Sequence, residues 1–234
     1  MDDAARWIGF VAAAYLAGSI PFGLLVGFTR GVDIRAHGSG NIGATNAGRV
    51  LGRKIGALCF ALDVLKGAIP VLIAGVVMGA LGERAITAGQ SAWWLGVAGA
   101  SILGHVFPIW LRFKGGKGVA TGFGSLAAMW PIVAPAALAA LVVWLLSVRV
   151  SRYVGVSSCL AALSLPVFVA MSAGALGDPA MAPVARVGRV WPAIVAVALL
   201  AGVVIWRHRG NIRRTIAGVE PKTYLFGAGP RPGD

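Results

Sequence analysis

Acidic side chains are scarce in this 234-residue chain: eight carboxylates stand against 21 Lys and Arg, and the formal net charge is +13. The eight are Asp2, Asp3, Asp33, Asp63, Glu83, Asp178, Glu220 and Asp234, too dispersed for any segment to gather the carboxylate cluster of a Mg²⁺ phosphotransferase. That argues against a metal-dependent headgroup transferase. Cysteine is nearly absent too. Cys59 and Cys159 both lie in apolar stretches, which excludes a disulfide framework and makes buried structural thiols the expectation. Charge of either sign is missing from 7–29, 85–111, 118–148, 153–177 and 190–206, runs of 23, 27, 31, 25 and 17 residues. Each is near or above the roughly 20 residues a spanning helix needs, so a soluble globular class is excluded. The first run is preceded by Asp2 and Asp3 rather than a basic n-region, so it reads as a retained span and not as a signal peptide.

The basic excess would suggest nucleic acid in a soluble protein. In a polytopic membrane protein it follows from keeping Lys and Arg in cytoplasmic loops, so the bilayer is the expected partner and nucleic acid is not. Sixteen of the 21 basic residues fall in four clusters: Arg30 to Lys54, Arg112 to Lys117, Arg149 with Arg152, and Arg207 to Arg231. Placing all four inside requires an even number of crossings between neighbours. Residues 55–111 supply two helices, turning near Glu83-Arg84. The stretch 118–148 is interrupted by Pro131 and Pro135 and reads as two shorter helices. Residues 153–206 make two more, turning near Gly177-Asp178-Pro179. With the first span this gives an all-α bundle of seven hydrophobic helices, N-terminus outside and C-terminus cytoplasmic. No domain boundary interrupts 1–234, and no inverted transporter-like repeat is evident.

Three polar segments break the apolar pattern, at 30–54, 112–121 and 207–222. The first contains Ser39, Gly40, Asn41, Gly43, Thr45, Asn46 and Arg49. Glycines let backbone N–H groups approach an anion, hydroxyls and amides aim hydrogen bonds, and arginine offers a bidentate fork to phosphate. A flexible Gly-Ser linker would not mix these types so densely. In the second segment Lys114 and Lys117 bracket Gly115 and Gly116, and a helix starts near Val119, so free N–H groups and a positive helix end would face a bound phosphate. It is not a nucleotide-binding P-loop: Gly118 follows Lys117 where Ser or Thr is required, and Leu111 replaces the leading glycine. In the third, His208 and Asn211 share a face at i and i+3 on a continued helix. Arg213 and Arg214 read equally as ligands or as interfacial anchors. His105, alone on an apolar helix end, reads as a packing residue rather than a base. Asp63 and Lys66, at i and i+3 inside a span, are either a structural or a functional pair.

The chain resembles the bacterial acyl-phosphate:glycerol-3-phosphate acyltransferases, an integral-membrane family. The resemblance rests on 38–46 with Arg49, on 63–67, on Gly104-His105 with 113–121, and on His208 with Asn211 and Glu220-Pro221-Lys222, and it covers nearly the whole chain in order. It implies transfer of a fatty acyl group from acyl phosphate to the 1-hydroxyl of sn-glycerol 3-phosphate, giving lysophosphatidic acid and inorganic phosphate. This is the first acylation of phospholipid synthesis. It further implies a seven-helix bundle in the bacterial inner membrane, motif segments gathered on the cytoplasmic side, no metal or other cofactor, and transient contact with the enzyme that makes acyl phosphate. Ser39, Arg49, His208 and Asn211 are the implied catalytic residues, and Lys114 or Lys117 would bind phosphate. Gly40, Asn41, Gly43, Thr45, Asn46, Gly115, Gly116, Gly118, Thr121 and Glu220 are the further substrate-site residues. One departure concerns the segment after the fifth helix, which in this family often reads Ser-Arg-x-Val-Ser-Leu. Here Gly155 replaces the hydroxyl, and whether Ser157 or Ser158 takes its place is open.

Acyl phosphate is already activated, so the protein need not supply a covalent nucleophile. Positioning can account for much of the rate, since well-oriented partners reach effective molarities on the order of 10⁵–10⁸ M. The proton of the attacking hydroxyl goes either to His208 or to a substrate phosphate oxygen, the latter being the better acceptor where carboxylates are missing and neighbouring cations lower the imidazole pKa. The rival reading, a phosphate or organic-anion transporter or channel, predicts cations deep in the spans, where Lys66 stands alone.

Overall fold

The computed structural model describes residues 3–223; Arg231 of the fourth basic cluster lies outside them. The described elements are helices: α1 (Asp3–Ser19), α2 (Phe22–Phe28), α3 (Ala44–Leu51), α4 (Arg53–Val77), α5 (Ala88–Val106), α6 (Val119–Ala127), α7 (Val133–Ser151), α8 (Val154–Leu176), α9 (Pro183–Arg189), α10 (Trp191–Arg207) and α11 (Arg209–Ile216), with 3₁₀ turns at Ile34–Ala36 and Ile109–Leu111. Among the described residues there is no strand.

Proline marks several breaks. Pro21 lacks an N–H and divides the first span into α1 and α2, and Pro131 falls in the turn between α6 and α7, where two helices were expected. α5 begins with a capping box: the Gln90 N–H donates to Thr87 Oγ1 (3.2 Å) while the Thr87 N–H donates to Gln90 Oε1 (3.2 Å). Glycines let the helices cross closely. A Cβ at Gly18 of α1 would lie 2.1 Å from the Ser101 carbonyl oxygen of α5, and one at Gly104 of α5 would lie 2.3 Å from that of Tyr15. Gly67 of α4 and Gly124 of α6 stand in the same reciprocal relation. Small residues at such contacts are how helices pack in lipid, where apolar surface alone gives little attraction.

Five helical segments are long and apolar enough to cross a membrane, or six if the bent pair α9–α10 counts as one span. Their outward faces carry exposed Leu16, Ile69, Val76, Leu146 and Leu199, as a lipid-facing surface requires. The chain is a multi-pass integral-membrane helical bundle. Seven helices were expected from charge parity; the difference is α6, whose nine residues fall short of a full span. α6 nonetheless joins the two ends of the bundle. It starts beside His105, and the turn after it reaches the α4–α5 connection, where the Gly82 N–H donates to the Trp130 carbonyl (3.1 Å).

The basic segments meet at one end. Arg49 Nη2 donates to the Pro221 carbonyl (3.3 Å), Arg207 reaches the carbonyls of Gly115 and Gly116, and the Thr223 N–H donates to the Arg152 carbonyl (2.8 Å). The segments 79–87, 128–132 and 177–190, the last containing α9, form the opposite end, where Arg189 Nη2 donates to the Ala85 carbonyl (2.8 Å).

Candidate functional site

At the basic end the three polar segments surround one cleft of about 730 Å³, its open mouth included. Ser39, Asn41, Gly43, Thr45, Asn46 and Arg49 line it from the first segment, Lys117 and Gly118 from the second, and Asn211 and Glu220 from the third. Asp63, His105, Gly155 and Ser158 complete the walls.

The first segment is folded around Asn46. Its buried amide accepts from the Ser39 N–H at Oδ1 (2.8 Å) and donates through Nδ2 to the carbonyls of Ile34 (2.9 Å) and His37 (3.2 Å). Gly38 and Gly40 take positive φ (61° and 67°), and a Cβ on Gly38 would meet Asn46 Oδ1 at 2.3 Å. Asn41 Oδ1 closes a turn by accepting from the Gly43 N–H (2.9 Å). Ile34, buried with Leu24, Ile42, Ala47 and Cys59, anchors the loop. These contacts make Asn46 and Asn41 builders of the loop, whereas Ser39 and Arg49 face the cleft from its rim. Gly40 turns the chain but is not in the lining.

In the second segment the glycines do not act as expected. The Gly115 N–H donates to the Val106 carbonyl (3.2 Å) and the Gly116 N–H to that of His105 (3.0 Å), so neither is free to meet an anion. Lys114 is exposed, and none of Lys114, Gly115 and Gly116 lines the cleft. The available donors lie one turn later. Gly118, left-handed at φ 79°, directs the chain into α6, and Gly118, Val119 and Ala120, whose N–H groups have no partner among the described residues, border the cleft. These are the unsatisfied donors of a helix start, aimed where negative charge would sit. Thr121 is buried against His105 (Oγ1 to Nδ1, 3.2 Å) rather than in the lining.

His105 borders the cleft floor, a placement the sequence reading missed. Its Nδ1 lies 3.6 Å from Asp63 Oδ1, and its Nε2 abuts Gly116, where a Cβ would come within 2.0 Å. Nδ1 is therefore engaged with Thr121 and Asp63, while Nε2 packs against Gly116. Lys66 pairs with Asp63 (2.8 Å) and donates to the Ile20 carbonyl (2.7 Å), fastening α4 to the break between α1 and α2. Lys66 thus faces away from the cleft and Asp63 toward it.

In the third segment Lys117 Nζ donates to Asn211 Oδ1, Asn211 Nδ2 donates to Glu220 Oε1 (2.6 Å), and Arg214 Nε donates to Glu220 Oε2 (2.7 Å). A carboxylate only accepts, so Glu220 fixes the Asn211 amide with its oxygen toward Lys117. Burial is the main cause that lowers the Lys117 pKa to about 8; Glu220 opposes the shift, and Arg214, Arg49 and Arg207 add to it. His208 is buried. Its Nδ1–H donates to the Val204 carbonyl (2.8 Å), which leaves the lone pair on Nε2. Desolvation, reinforced by Lys117, brings its pKa down to about 4, so the ring is neutral at physiological pH and a weak base.

The question of the missing hydroxyl resolves on α8. A Cβ at Gly155 would meet Asn211 Cβ at 2.8 Å and His208 Cδ2 at 3.5 Å, so its absence lets α11 pack close. Ser157 turns away, donating to the Tyr153 carbonyl (3.0 Å). Ser158 lines the cleft, donating to the Val154 carbonyl (2.8 Å) and accepting from Trp144 Nε1 (3.2 Å).

A second cavity of about 780 Å³, its open side included, runs from the cleft between α5, α6, α7, α8 and α10. It is apolar, with Ala137, Ala140, Ala161, Ala162 and Ala201 leaving room along its walls. Phe60, Gly118, Val119 and Ser158 border both cavities. Nothing in the sequence marked Phe60, Ala140 or Ala162, which are ordinary residues of apolar helices.

The family description glycerol-3-phosphate acyltransferase matches residues 8–218. Curated proteins named glycerol-3-phosphate acyltransferase are similar throughout. The one from Trichlorobacter lovleyi is 42% identical over 213 residues, covering 91% of this chain and 95% of its own; the one from Anaeromyxobacter dehalogenans is 44% identical over 213 residues, covering 91% and 94%. Two solved forms of PlsY (YgiH), an integral membrane glycerol 3-phosphate acyltransferase, share the fold at 36% identity. The glycerol 3-phosphate form has a TM-score of 0.77, covering 95% of this chain and 96% of that one; the lysophosphatidic acid form has 0.75, covering 93% and 95%.

Proposed function

The chain belongs to the glycerol-3-phosphate acyltransferase family, and from that premise we propose that it transfers a fatty acyl group from acyl phosphate to the 1-hydroxyl of glycerol 3-phosphate. The observation that carries this reading is the junction of the two cavities. A polar cleft with cations and a helix start opens, through Phe60, Gly118, Val119 and Ser158, into an apolar groove. A reactant with a phosphate at one end of an acyl chain fits that junction with its carbonyl carbon at the shared residues. A second phosphate, that of glycerol 3-phosphate, then lies beside the first.

In this reading Arg49, Lys117 and Ser39 hold the phosphates, with the N–H groups that begin α6. Those same donors face the oxygen on which charge develops as the hydroxyl attacks. The hydroxyl oxygen forms a bond to the acyl carbon, the bond from that carbon to the phosphate oxygen breaks, and inorganic phosphate leaves. The hydroxyl proton passes to a phosphate oxygen of the substrate. A phosphate monoester, with second pKa of about 6, is a stronger base than His208 as placed here. Asn211, fixed by Glu220, sets the position of Lys117, and Asn211 and His208 both pack toward Gly155.

We assign the basic end to the cytoplasmic side of the inner membrane, with seven crossings that count α6 and the turn after it as a short one. The whole chain acts as one acyltransferase domain. The test uses purified protein in detergent, glycerol 3-phosphate, and either acyl phosphate or acyl-CoA. Lysophosphatidic acid formed from acyl phosphate supports the assignment, and product from acyl-CoA alone overturns the choice of donor.

A further inference from the structure

Arg207 stands apart from the other cations of the basic end. It lies at the last turn of α10, half-buried, and has no carboxylate partner among the described residues. Its Nη2 donates to the Gly115 carbonyl (2.6 Å) and its Nε to the Gly116 carbonyl (3.0 Å), 92 and 91 residues away in sequence. The N–H groups of the same glycines are held by the carbonyls of Val106 and His105. All four polar backbone groups of Gly115-Gly116 are thus engaged, two by the end of α5 and two by one guanidinium. The next residue is Lys117, followed by the helix start that borders the cleft. An arginine that only marked the inner side of the bilayer would direct its charge to headgroups and water. This one is turned inward onto two carbonyls in the fork geometry that a lysine cannot reproduce.

We propose that Arg207 is a positioning residue of the acyl transfer, clamping the loop 115–118 so that Lys117 and the first N–H groups of α6 are presented to the phosphates. The inference rests on the cleft being the acyltransferase site. Arg207 is absent from the cleft lining and acts through the loop. The neighbouring Arg209 makes a natural control, because it is exposed, stacks on Trp206 at 4.6 Å and does not touch the loop.

The experiment compares wild type with Arg207→Met, Arg207→Lys and Arg209→Gln in the acyl phosphate assay. KM for glycerol 3-phosphate, kcat and the alkaline limb of the pH profile are measured beside thermal stability. Loss of the clamp shifts the phosphate donors, and a displacement of about 1 Å costs about a hundredfold, so Arg207→Met lowers kcat/KM by about that factor. Arg207→Lys, able to hold one carbonyl, recovers part of the loss, and Arg209→Gln behaves as wild type. Partial recovery in Arg207→Lys separates the clamp from bulk structure, and the pH limb follows the charge at position 207. Lys117 is faced by Arg49 of α3, Arg207 of α10, Asn211 and Arg214 of α11, and Glu220, with Asp63 and His105 across the cleft. Arg207 disfavours the charged form of Lys117, so its removal moves the alkaline limb of kcat/KM upward, while Arg207→Lys leaves it in place. Unchanged kinetics in Arg207→Met, or a loss that tracks thermal stability and is not recovered in part by Arg207→Lys, overturns the proposal. Absence of acyl transfer in the wild type instead refutes the functional assignment and leaves the clamp to be read from glycerol 3-phosphate binding by the same variants. Weaker binding in Arg207→Met than in Arg209→Gln sustains it, and equal binding overturns it.

Discussion

The two ends of the bundle both carry arginines, yet they use them differently. At the end opposite the cleft, Arg186 donates to the carbonyls of Met181 (2.8 Å) and Gly174 (3.0 Å), and Arg189 donates to the Ala85 carbonyl and pairs with Asp178 (3.5 Å). These cations staple loops and do not line the cleft. At the basic end the side chains of Arg49 and Lys117 each make one hydrogen bond among the described residues, to the Pro221 carbonyl and to Asn211, while facing the open cleft. Spare donor capacity beside open space, rather than positive charge as such, distinguishes a binding site from a fastening. Arg207 shows that both uses occur within a few ångströms of each other.

The strongest way to break this contrast is to remove one cation at each end. Arg49→Ala and Lys117→Ala each lower kcat/KM by on the order of 10²–10³, the scale of losing a charge stabiliser. Arg189→Ala leaves kcat/KM within about twofold and instead lowers Tm by a few degrees. Parallel kinetics and thermal melts of the three variants check this, and equal kinetic losses at both ends would dissolve the distinction.

A matched pair of glycines sharpens it next. In Gly116→Ala the new Cβ meets His105 Nε2 at 2.0 Å while the backbone is held on both sides, and activity falls by about a hundredfold. Gly188 on α9 has nothing within 4 Å of a Cβ, so Gly188→Ala keeps full activity and gains up to about 1 kcal/mol from helix propensity.

Filling the apolar groove has a smaller and selective effect. Ser158 to Leu165 spans two turns of α8, about 10 Å at the usual rise per residue, so the walled part of the groove takes only the first half of a long acyl chain. Ala162→Leu is expected to raise KM for long-chain acyl phosphates by about tenfold, at about 0.8 kcal/mol per displaced methylene, and to affect a four-carbon donor least. Equal effects on short and long donors would place the acyl chain elsewhere.

The smallest effect is in pH. Lys117 releases its proton at about 8 in the folded protein and near 10.4 unfolded, so between these values the unfolded state holds more protons and stability rises with pH. The same deprotonation removes a phosphate-binding charge, so kcat/KM falls over the window in which the Lys117 contribution to stability grows. Lys117→Met loses both trends.

Much of this was legible in residue order. Charge-free runs located the spans, proline placed the break at Pro131, and the dense polar run at 38–49 marked the first wall of the cleft. What escaped was whatever depends on partners distant in sequence. The N–H groups of Gly115 and Gly116 looked free because their acceptors, the carbonyls of Val106 and His105, become accessible only where α5 ends and the chain doubles back. Ser158, rather than Ser157, enters the cleft because of the helical phase of α8 against Trp144 of α7, which no local motif encodes. The nine residues of α6 are too few for a full span, and its close crossing of α4 at Gly67 and Gly124 depends on partners distant in sequence.

The central claim is that segments far apart in sequence build one phosphate site, and binding without chemistry tests it most directly. Calorimetric titration of glycerol 3-phosphate into detergent-solubilised wild type, Arg49→Met and Lys117→Met is expected to show saturable binding in the wild type and none at matched concentrations in either variant. Undiminished binding in both variants would contradict the account.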